Sequence, residues 1–408
     1  MISGQETELE RAHQQPGLDA NAIDGAASET EAERPVNYTN AGAIPAARGW
    51  TDKPASSAGE QAFANTDGLN ADQRAYYDQI KKTDPQMSDK GAHDTAKASR
   101  PLSADDRDAV KAVQKKIASM KPKRIDDPKN PNLVQIELAF DGSGEDRATQ
   151  DPALESNPAK LDDAFQGPKH YERGVGSEKN DTFAHRVQND YEFVTGAGFQ
   201  KRVDGAYNWL VNEVNSIKGG NPNAQVVLVV TGFSRGAAEA RAFTNELNQR
   251  GIPVTASKQP DGSFKQHYDT PQVGVMVLFD TVQMTAGQHE NTSIPANVEN
   301  VLHITARDEK RTTFPLTRAT DPKRPDDDRI TEVALPGSHG DIGGGRPNDY
   351  TQVSEQLARQ YMVNAGVNIA PTDPKDQVNV DDPNLRLHDT GDGLFGMKRP
   401  VINNTNPK

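Results

Sequence analysis

The 408-residue chain contains no cysteine. This absence excludes a disulfide framework, a thiolate nucleophile and a cysteine-ligated zinc site, and it suits reducing and oxidising compartments alike. Hydrophobic residues make up only 34% of the chain, beside 33 glycines and 27 prolines. A chain of this length has room for two domains, but its composition predicts one sizeable folded domain with polar extensions.

An excess of positive charge is also missing, because 59 acidic residues outnumber 46 basic ones and leave a formal net charge of -13. That charge disfavours nucleic acid as a partner and opposes binding to an anionic bilayer surface, so any membrane contact is expected to be peripheral, local and apolar. The first residues, Met1–Glu6, lack the basic and apolar segments of a signal peptide, and no apolar run is long enough to span a bilayer. We expect a soluble protein that uses no conventional cleaved signal.

Residues 1–130 are rich in polar residues and poor in aliphatic ones, which predicts a solvated, partly disordered or helical N-terminal region. Ser103 and Asp106 form a capping-box pattern ahead of apolar residues that recur on one helical face, so a helix is expected to begin there. A second helix is expected over about 71–82. The amphipathic helix either docks against its own domain or is recognised by a delivery machine.

From Leu133 onward, short β-rich runs alternate with helical stretches. This alternation predicts an α/β fold over residues 131–370, with a mostly parallel central sheet flanked by helices, and a polar tail over 371–408 that wraps the surface. The predicted strands are 133–140, 225–231, 273–280, 299–306 and 330–335, and the predicted helices are 200–217, the segment after Ser234, and 351–365.

The segment Gly232–Gly236 reads G-F-S-R-G and directly follows the apolar run Val226–Val230. This order of strand, tight turn and small-residue helix is what a nucleophile elbow requires. The turn holds Ser234 in a strained conformation that only tiny neighbours allow, and the flanking glycines provide the space. The backbone N–H of Arg235 is then expected to stabilise an oxyanion. The pentapeptide alone also occurs by chance in unrelated proteins, so its position after a buried strand is what favours this interpretation.

A serine hydrolase also needs an acid and a base, and in α/β-hydrolases they follow the nucleophile in that order. Asp280 ends a predicted strand at the same rim as Ser234. His339 lies in a glycine-rich loop just after the predicted strand 330–335. Asp341 competes with Asp280 for the acid role, although its position two residues from His339 is better suited to pinning the loop than to orienting the imidazole.

The remaining histidines fit a triad less well. His170 precedes the elbow and so fits the chain order poorly, but it is a candidate for lining the pocket. His303 lies inside a predicted strand and is expected to be a core residue. His388 lies in a polar segment and is expected to be solvated.

A second oxyanion donor is expected on the loop Phe140–Gly144, where Gly142 lets a backbone N–H approach the substrate oxygen. The alternative interpretation is an ordinary Asp-Gly turn. Asp141 is a candidate for holding this loop or binding a cation, but no carboxylates have the spacing of a recognised metal site. We therefore assign no metal.

Six segments follow one another within residues 133–366: FDGSG at 140–144, HYERGVG at 170–176, GFSRGAA at 232–238, FDTV at 279–282, ARDEKR with the nearby Phe-Pro at 306–315, and PGSHGDIGGG at 336–345. Together they resemble the α/β-hydrolase domain of the first family of type VI secretion lipase effectors, the Tle1-like catalytic domain. The resemblance implies that Ser234 is the nucleophile, Asp280 the acid and His339 the base.

By the same resemblance, the chain is expected to be a serine-triad carboxylic ester hydrolase that needs no cofactor, and specifically a phospholipase A-type antibacterial effector that attacks membrane phospholipids. The resemblance also implies synthesis in the bacterial cytoplasm, secretion into a target cell, and an immunity protein that protects the producer. A secretion-apparatus component or chaperone is expected to bind the N-terminal region.

The sequence departs from the family pattern at two positions. Ser143 stands where members often carry threonine, and Arg346 where they often carry an aromatic residue. No apolar lid is evident either. A soluble ester, glycolipid or thioester is therefore the alternative substrate, and a non-catalytic binding module is the alternative of a different class.

Overall fold

Twelve strands and eight α-helices are found in the described part of the computed structural model, which comprises residues 66–148, 150–177, 198–261, 263–283, 291–346, 349–390, 399 and 401–402. All of them belong to one unit, Arg48–Lys408, whereas the other unit, Met1–Ala47, lies outside the described residues. The strands are β1 Ser99–Pro101, β2 Leu133–Phe140, β3 Lys169–Glu172, β4 Gln225–Phe233, β5 Ile252–Lys258, β6 Phe264–Asp269, β7 Gln272–Phe279, β8 Val301–Ala306, β9 Leu316–Thr317, β10 Ile330–Leu335, β11 Arg386–His388 and β12 Val401–Ile402.

The helices are α1 Ala71–Thr83, α2 Asp89–Lys97, α3 Ala104–Ser119, α4 Asn157–Ala164, α5 Phe199–Gly220, α6 Ser234–Arg250, α7 His339–Gly343 and α8 Thr351–Asn364. Two short 3-10 helices lie at Pro152–Leu154 and Pro374–Asp376. Among the described helices, none has both the length and the apolar character needed to cross a membrane.

Six strands form one parallel sheet in the order β10-β8-β7-β4-β2-β3. Parallel strands are covered on both faces, so they are built from nearly continuous apolar runs, as in Val226–Val230 of β4. Alternate side chains point to opposite faces. Leu228 and Val230 pack in the same hydrophobic cluster as α5 and α6, while Val229 packs in the cluster that contains α3 and α8.

The predicted α/β fold is confirmed, and each of the predicted strands and helices between 133 and 366 is present to within two or three residues. The predictions missed β3 and the antiparallel hairpin of β5 and β6. Both are polar: β3 reads Lys-His-Tyr-Glu, and β6 is exposed along nearly its whole length. Neither β3 nor β6 has the apolar alternation that makes a strand visible in a sequence.

Both predicted N-terminal helices are present, as α1 and α3. The Ser103 hydroxyl accepts a hydrogen bond from the Asp106 N–H at 3.1 Å, and the reciprocal bond completes the predicted capping box. Val110 and Ile117 of α3 are fully buried in the same cluster as the sheet, so this helix docks against its own domain. Strand β1 pairs antiparallel with β11. The packing of α3 on the sheet and the pairing of β1 with β11 therefore cross the predicted domain limits at 130/131 and 370/371. The limits themselves stay predictions.

Candidate active site

The turn between β4 and α6 carries Ser234 in a conformation that L-residues rarely adopt, with φ of 56°. A Cβ on Gly236 would lie 2.3 Å from the carbonyl oxygen of Asp141, and a Cβ on Gly232 would lie 2.7 Å from the Cα of Ala237. No side chain fits at those distances. The two glycines therefore let the strand, the turn and the helix pack closely around the serine, as the sequence predicted for a nucleophile elbow.

Three side chains from different strand ends meet at this turn. His339 Nε2 lies 2.8 Å from Ser234 Oγ, and His339 Nδ1 lies 2.6 Å from Asp280 Oδ2. Ser234 follows β4, Asp280 follows β7, and His339 opens α7 just after β10. The parallel sheet brings these three positions to one rim because the carboxyl ends of its strands lie on the same side.

Two aromatic rings hold the imidazole of His339. Phe233 lies with its ring centroid 4.7 Å from that of the imidazole, and Phe314 meets it edge-on at 5.0 Å. The backbone N–H of His339 donates to Glu309 Oε2 at 3.1 Å. The ring is thus packed against two aromatic side chains, and the backbone that carries it is anchored separately.

Burial lowers the pKa of His339, and the charges of Arg311 and Arg399 add to this effect against the opposing influence of Asp280. Burial alone would raise the pKa of Asp280, but the charge of Arg399 and the hydrogen bond from His339 outweigh it and hold that pKa well below its usual value. At neutral pH the pair is therefore a neutral imidazole beside an ionised carboxylate, which suits general-base chemistry at Nε2.

The first turn of α6 leaves backbone donors near Ser234. Phe233 occupies the N-cap position and its side chain caps no N–H, so the N–H of Arg235 points out of the helix end that carries the serine. The Gly142 N–H is already engaged, since it donates to Asp141 Oδ1 at 2.7 Å. A substrate oxyanion at Gly142 would have to replace that carboxylate oxygen.

Asp141 holds the loop after β2 from within. Its Oδ2 accepts hydrogen bonds from Ser156 Oγ at 2.7 Å and from Tyr171 Oη at 2.6 Å. Burial raises its pKa, although these hydrogen bonds act in the opposite direction. The neighbouring Ser143 Oγ is buried and has no hydrogen-bond partner among the described residues, so it is a spare donor on this loop.

A model of the family described as "T6SS, Phospholipase effector Tle1-like, catalytic domain" matches residues 135–270 and 253–365. These matches cover more than half of the chain and include Ser234, Asp280 and His339. The chain belongs to this Tle1-like family. A search of curated proteins found no match.

Solved structures similar to this Tle1-like chain include an uncharacterised protein from Pseudomonas aeruginosa, with 19% identity, a TM-score of 0.42, and coverage of 67% of this chain and 52% of that one. Another is the Tle1 effector bound to the VgrG spike of the type VI secretion system, with 21% identity, a TM-score of 0.36, and coverage of 56% and 53%. A third is a putative α/β-superfamily hydrolase from Xanthomonas campestris pv. campestris, with 12% identity, a TM-score of 0.27, and coverage of 56% and 95%. The chain spans about half the length of the first two structures.

Asp341 of the Tle1-like domain contacts a different histidine from the one beside Ser234. Its Oδ1 lies 2.6 Å from His388 Nδ1, and its Oδ2 accepts from the backbone N–H of Ser338 at 2.9 Å. It thereby caps α7 and pins the glycine-rich loop. The prediction that His388 is solvated is wrong: the residue is only 3% exposed, because β11 pairs with β1 and carries it inward.

Neither of the other two histidines singled out by sequence belongs to the triad of the Tle1-like domain, although the N–H of Thr281, next to Asp280, donates to His303 Nε2 at 3.2 Å. His170, on the edge strand β3, stacks on Trp209 at 4.9 Å and lies 3.2 Å from Glu172 Oε2. His303 is fully buried in β8 and bonds to Glu332 at 3.0 Å, as expected of a core residue.

Sequence reasoning missed two residues of this Tle1-like site, Glu309 and Arg399. A signal existed for Glu309, because it belongs to the ARDEKR segment that carries part of the family resemblance. Arg399 gave no signal, because it lies in a tail whose composition is that of a solvated segment. In the structure its guanidinium binds both oxygens of Asp280.

Proposed function

We propose that this chain is a serine-triad carboxylic ester hydrolase, with Ser234 as nucleophile, His339 as base and Asp280 as the acid that orients the imidazole. The observation that carries the proposal is the hydrogen-bonded chain from Ser234 Oγ through His339 to Asp280, on an elbow that only glycines permit. Membership of the Tle1-like family supports it independently.

In the proposed reaction, neutral His339 takes the Ser234 proton on Nε2 while Oγ attacks the acyl carbon. The N–H of Arg235 stabilises the oxyanion, and the Ser143 hydroxyl and Gly142 N–H are candidate second donors. His339 then returns the proton to the leaving alcohol as the ester C–O bond breaks. Water repeats the sequence on the acyl-enzyme and releases the carboxylic acid.

The proposed substrate is a membrane phospholipid, cleaved at an acyl ester as by a phospholipase A. The family description, which names phospholipase effectors, supports this choice. We further propose delivery into a target cell by the type VI apparatus, contact of the N-terminal region with a secretion component or chaperone, and an immunity protein in the producing cell. One similar structure is a Tle1 effector bound to a VgrG spike, which makes the spike the first partner to test.

The test is fatty-acid release from phosphatidylethanolamine and phosphatidylglycerol liposomes by the wild type and by folded Ser234→Ala, His339→Ala and Asp280→Asn variants. We expect release by the wild type and a loss of about a thousandfold or more in each variant. Asp341→Asn is the matched control. It also changes a buried carboxylate near this loop, but that carboxylate bonds to His388 and not to His339. Activity that survives Asp280→Asn but not Asp341→Asn would transfer the acid role.

One observation favours a soluble ester as the second candidate. The large apolar side chains exposed in the described ranges are Phe264, Tyr268 and Val401, and the first two lie on the β5–β6 hairpin. That hairpin connects the C-terminal end of α6 to the start of β7, so it lies at the N-terminal end of the parallel strands, opposite to the end that carries Ser234. Triad-dependent cleavage of short soluble esters with no release from liposomes would support this candidate and remove the membrane target.

A further inference from the structure

Arg399 makes a two-pronged contact with the carboxylate proposed as the triad acid. Its Nη1 donates to Asp280 Oδ1 at 2.9 Å and its Nη2 donates to Asp280 Oδ2 at 2.7 Å. The Arg399 side chain is 7% exposed and that of Asp280 is fully buried. Paired bonds of this kind between a guanidinium and a carboxylate combine charge with fixed geometry.

The contact completes the hydrogen bonding of Asp280. A carboxylate offers about four acceptor positions. The Ala306 N–H fills one on Oδ1 at 2.8 Å and His339 Nδ1 fills one on Oδ2 at 2.6 Å. The two bonds from Arg399 fill the remaining pair, so rotation of the carboxylate would break several bonds at once.

The backbone around Arg399 is anchored to the same scaffold as Asp280. The Arg399 Nε donates to the carbonyl oxygen of Phe314, and β12 pairs with β9 two residues further along both segments. Strand β9 is in turn bonded to the residues after Asp280, since the Thr317 N–H donates to the Thr281 carbonyl at 2.9 Å. The guanidinium and the acid are thus positioned by one set of backbone contacts.

The other charged side chains near the imidazole are paired with each other. Glu309 is bonded to Arg311 by two contacts of 3.0 Å, and Asp341 is bonded to His388 with Arg346 at 3.8 Å. The titratable and charged side chains facing His339 or its loop, from the described elements packed against them, are Asp280, Glu145, Asp308, Glu309, Arg311, Asp341, Arg346, His388 and Arg399. Asp308, which accepts from the Gly337 N–H at 2.9 Å, is itself paired with Arg307. Arg399 is the cation that offsets Asp280.

We propose that Arg399 is a positioning residue of the hydrolytic site: it fixes the Asp280 carboxylate against His339 and, by neutralising it, weakens its hold on a proton at the imidazole. The inference rests on the proposed triad. A triad acid without such a cation binds the imidazolium more tightly, so the base would be protonated at a higher pH. Arg399 therefore extends the activity of this site toward lower pH.

The kinetic test compares the wild type with Arg399→Gln and Arg399→Lys on a short soluble acyl ester between pH 4 and 9. With Arg399→Gln, the midpoint of the acidic limb of the kcat/KM profile should shift to higher pH by about one pH unit. The plateau kcat should fall about tenfold with little change in KM, because orientation is lost and substrate binding is not. Arg399→Lys keeps the charge but not the two-pronged geometry, so its limb should stay near that of the wild type while its plateau falls.

Arg324→Gln is the matched control, because that arginine is 58% exposed and pairs with acidic residues on a surface loop. It should leave both the limb and the plateau unchanged. An Arg399→Gln variant with a lower melting temperature but an unchanged limb and plateau would reduce Arg399 to a structural role and overturn the proposal. An Arg399→Lys variant identical to the wild type would overturn the orienting part.

A second readout does not require turnover. Histidine ring NMR titrations of the wild type and Arg399→Gln, with His339→Gln to assign the resonance, should show the titration of His339 moving to higher pH in Arg399→Gln. An unmoved titration would contradict the proposal even if the enzyme is active. Absence of Ser234-dependent turnover in the wild type would instead defeat the proposed function, and the titration would still decide what Arg399 does.

Discussion

Backbone strain is concentrated at two residues of the candidate site. Ser234 and Asp280 are the non-glycine residues with positive φ in the described ranges, at 56° and 41°. Each such residue costs on the order of 1–3 kcal/mol and persists only where the surrounding structure enforces it. Both lie at strand ends and both contact His339. Strain at two such positions supports a chemical role for the pair.

At the residue scale, Gly236→Ala should disrupt the elbow. Its Cβ would meet the carbonyl oxygens of Asp141 and Phe140 at 2.3 and 2.4 Å, and backbone atoms cannot move aside as a side chain can. We expect a loss of about 3 kcal/mol or more in the free energy of unfolding, measured by urea denaturation.

Gly219→Ala is its matched control, since a Cβ there meets nothing within 4 Å and the residue lies in helix α5. That variant should be neutral or more stable by up to about 1 kcal/mol. Equal stability of the two alanine variants would show that the crowding at Gly236 is relieved by movement of the backbone.

At the scale of elements, the five-residue helix α7 is too short to be stable alone and depends on its neighbours. Asp341 caps it and bonds to His388 of β11, and His388 Nε2 lies 3.0 Å from the Tyr76 hydroxyl of α1. All three side chains are buried. The helix that begins with His339 is thus connected by side-chain hydrogen bonds to an N-terminal helix more than 250 residues earlier in the chain.

This connection predicts unequal effects of two variants. His388→Ala removes the imidazole that bonds to both Asp341 and Tyr76 in a buried setting, and it should cost about 2–3 kcal/mol in the free energy of unfolding. Tyr76→Phe removes only the last hydrogen bond and should cost about 1 kcal/mol. In a double-mutant cycle, Tyr76→Phe should cost less in the His388→Ala background, and strictly additive losses would mean that the three groups do not act as one chain.

At the scale of the whole molecule, buried carboxyl groups fall into two classes. One class has lowered pKa values and limits stability at low pH, and the other has raised pKa values and limits stability at high pH. Burial alone would raise the pKa of Glu332, but the hydrogen bond and charge of His303 outweigh it and lower that pKa to about 2. Burial raises the pKa of Glu239 to about 8 despite the nearby charges of Arg202 and Arg235, and neither of its carboxylate oxygens has a partner among the described residues.

The effect of pH on stability depends on whether the pKa of a group is higher or lower in the folded protein than in the unfolded chain. A depressed folded pKa gives stability that is present above the unfolded value and is lost as pH falls toward about 2, which is the case for Glu332. A raised folded pKa gives stability that is complete below the unfolded value and is lost as pH rises through about 8, which is the case for Glu239. Stability should therefore be greatest in mildly acidic solution and decline on both sides.

Two isosteric variants distinguish the loss of stability at low pH from the loss at high pH, when melting temperatures are measured from pH 2 to 9. Glu239→Gln should match the wild type near pH 5 and melt a few degrees higher at pH 9, since the buried charge is gone. Glu332→Gln should melt several degrees lower near pH 6 and converge with the wild type toward pH 2. A constant offset at every pH, for either variant, would contradict the assigned shift.

The sequence was sufficient to predict the sheet and the meeting of Ser234, Asp280 and His339 at one rim, because apolar runs mark buried parallel strands and chain order assigns each strand end a side chain. It was insufficient for His388 and Arg399, whose burial depends on tertiary pairing of polar tail segments with β1 and β9. Polar composition predicts solvation unless such a partner exists, and the partner of His388 lies 289 residues away at Ser99. Local patterns carry no information at that separation.

The position of Arg399 along the chain has a consequence for biosynthesis. The ribosome adds residues from the N-terminus, so the nucleophile, the acid and the base all leave it before residue 399, which follows Asp280 by 119 positions. A nascent chain that has already folded its sheet therefore holds a buried aspartate whose counter-ion has not yet been made. The reactive centre can therefore become electrically balanced only after residue 399 has been made, which is later than the synthesis of its nucleophile, acid and base.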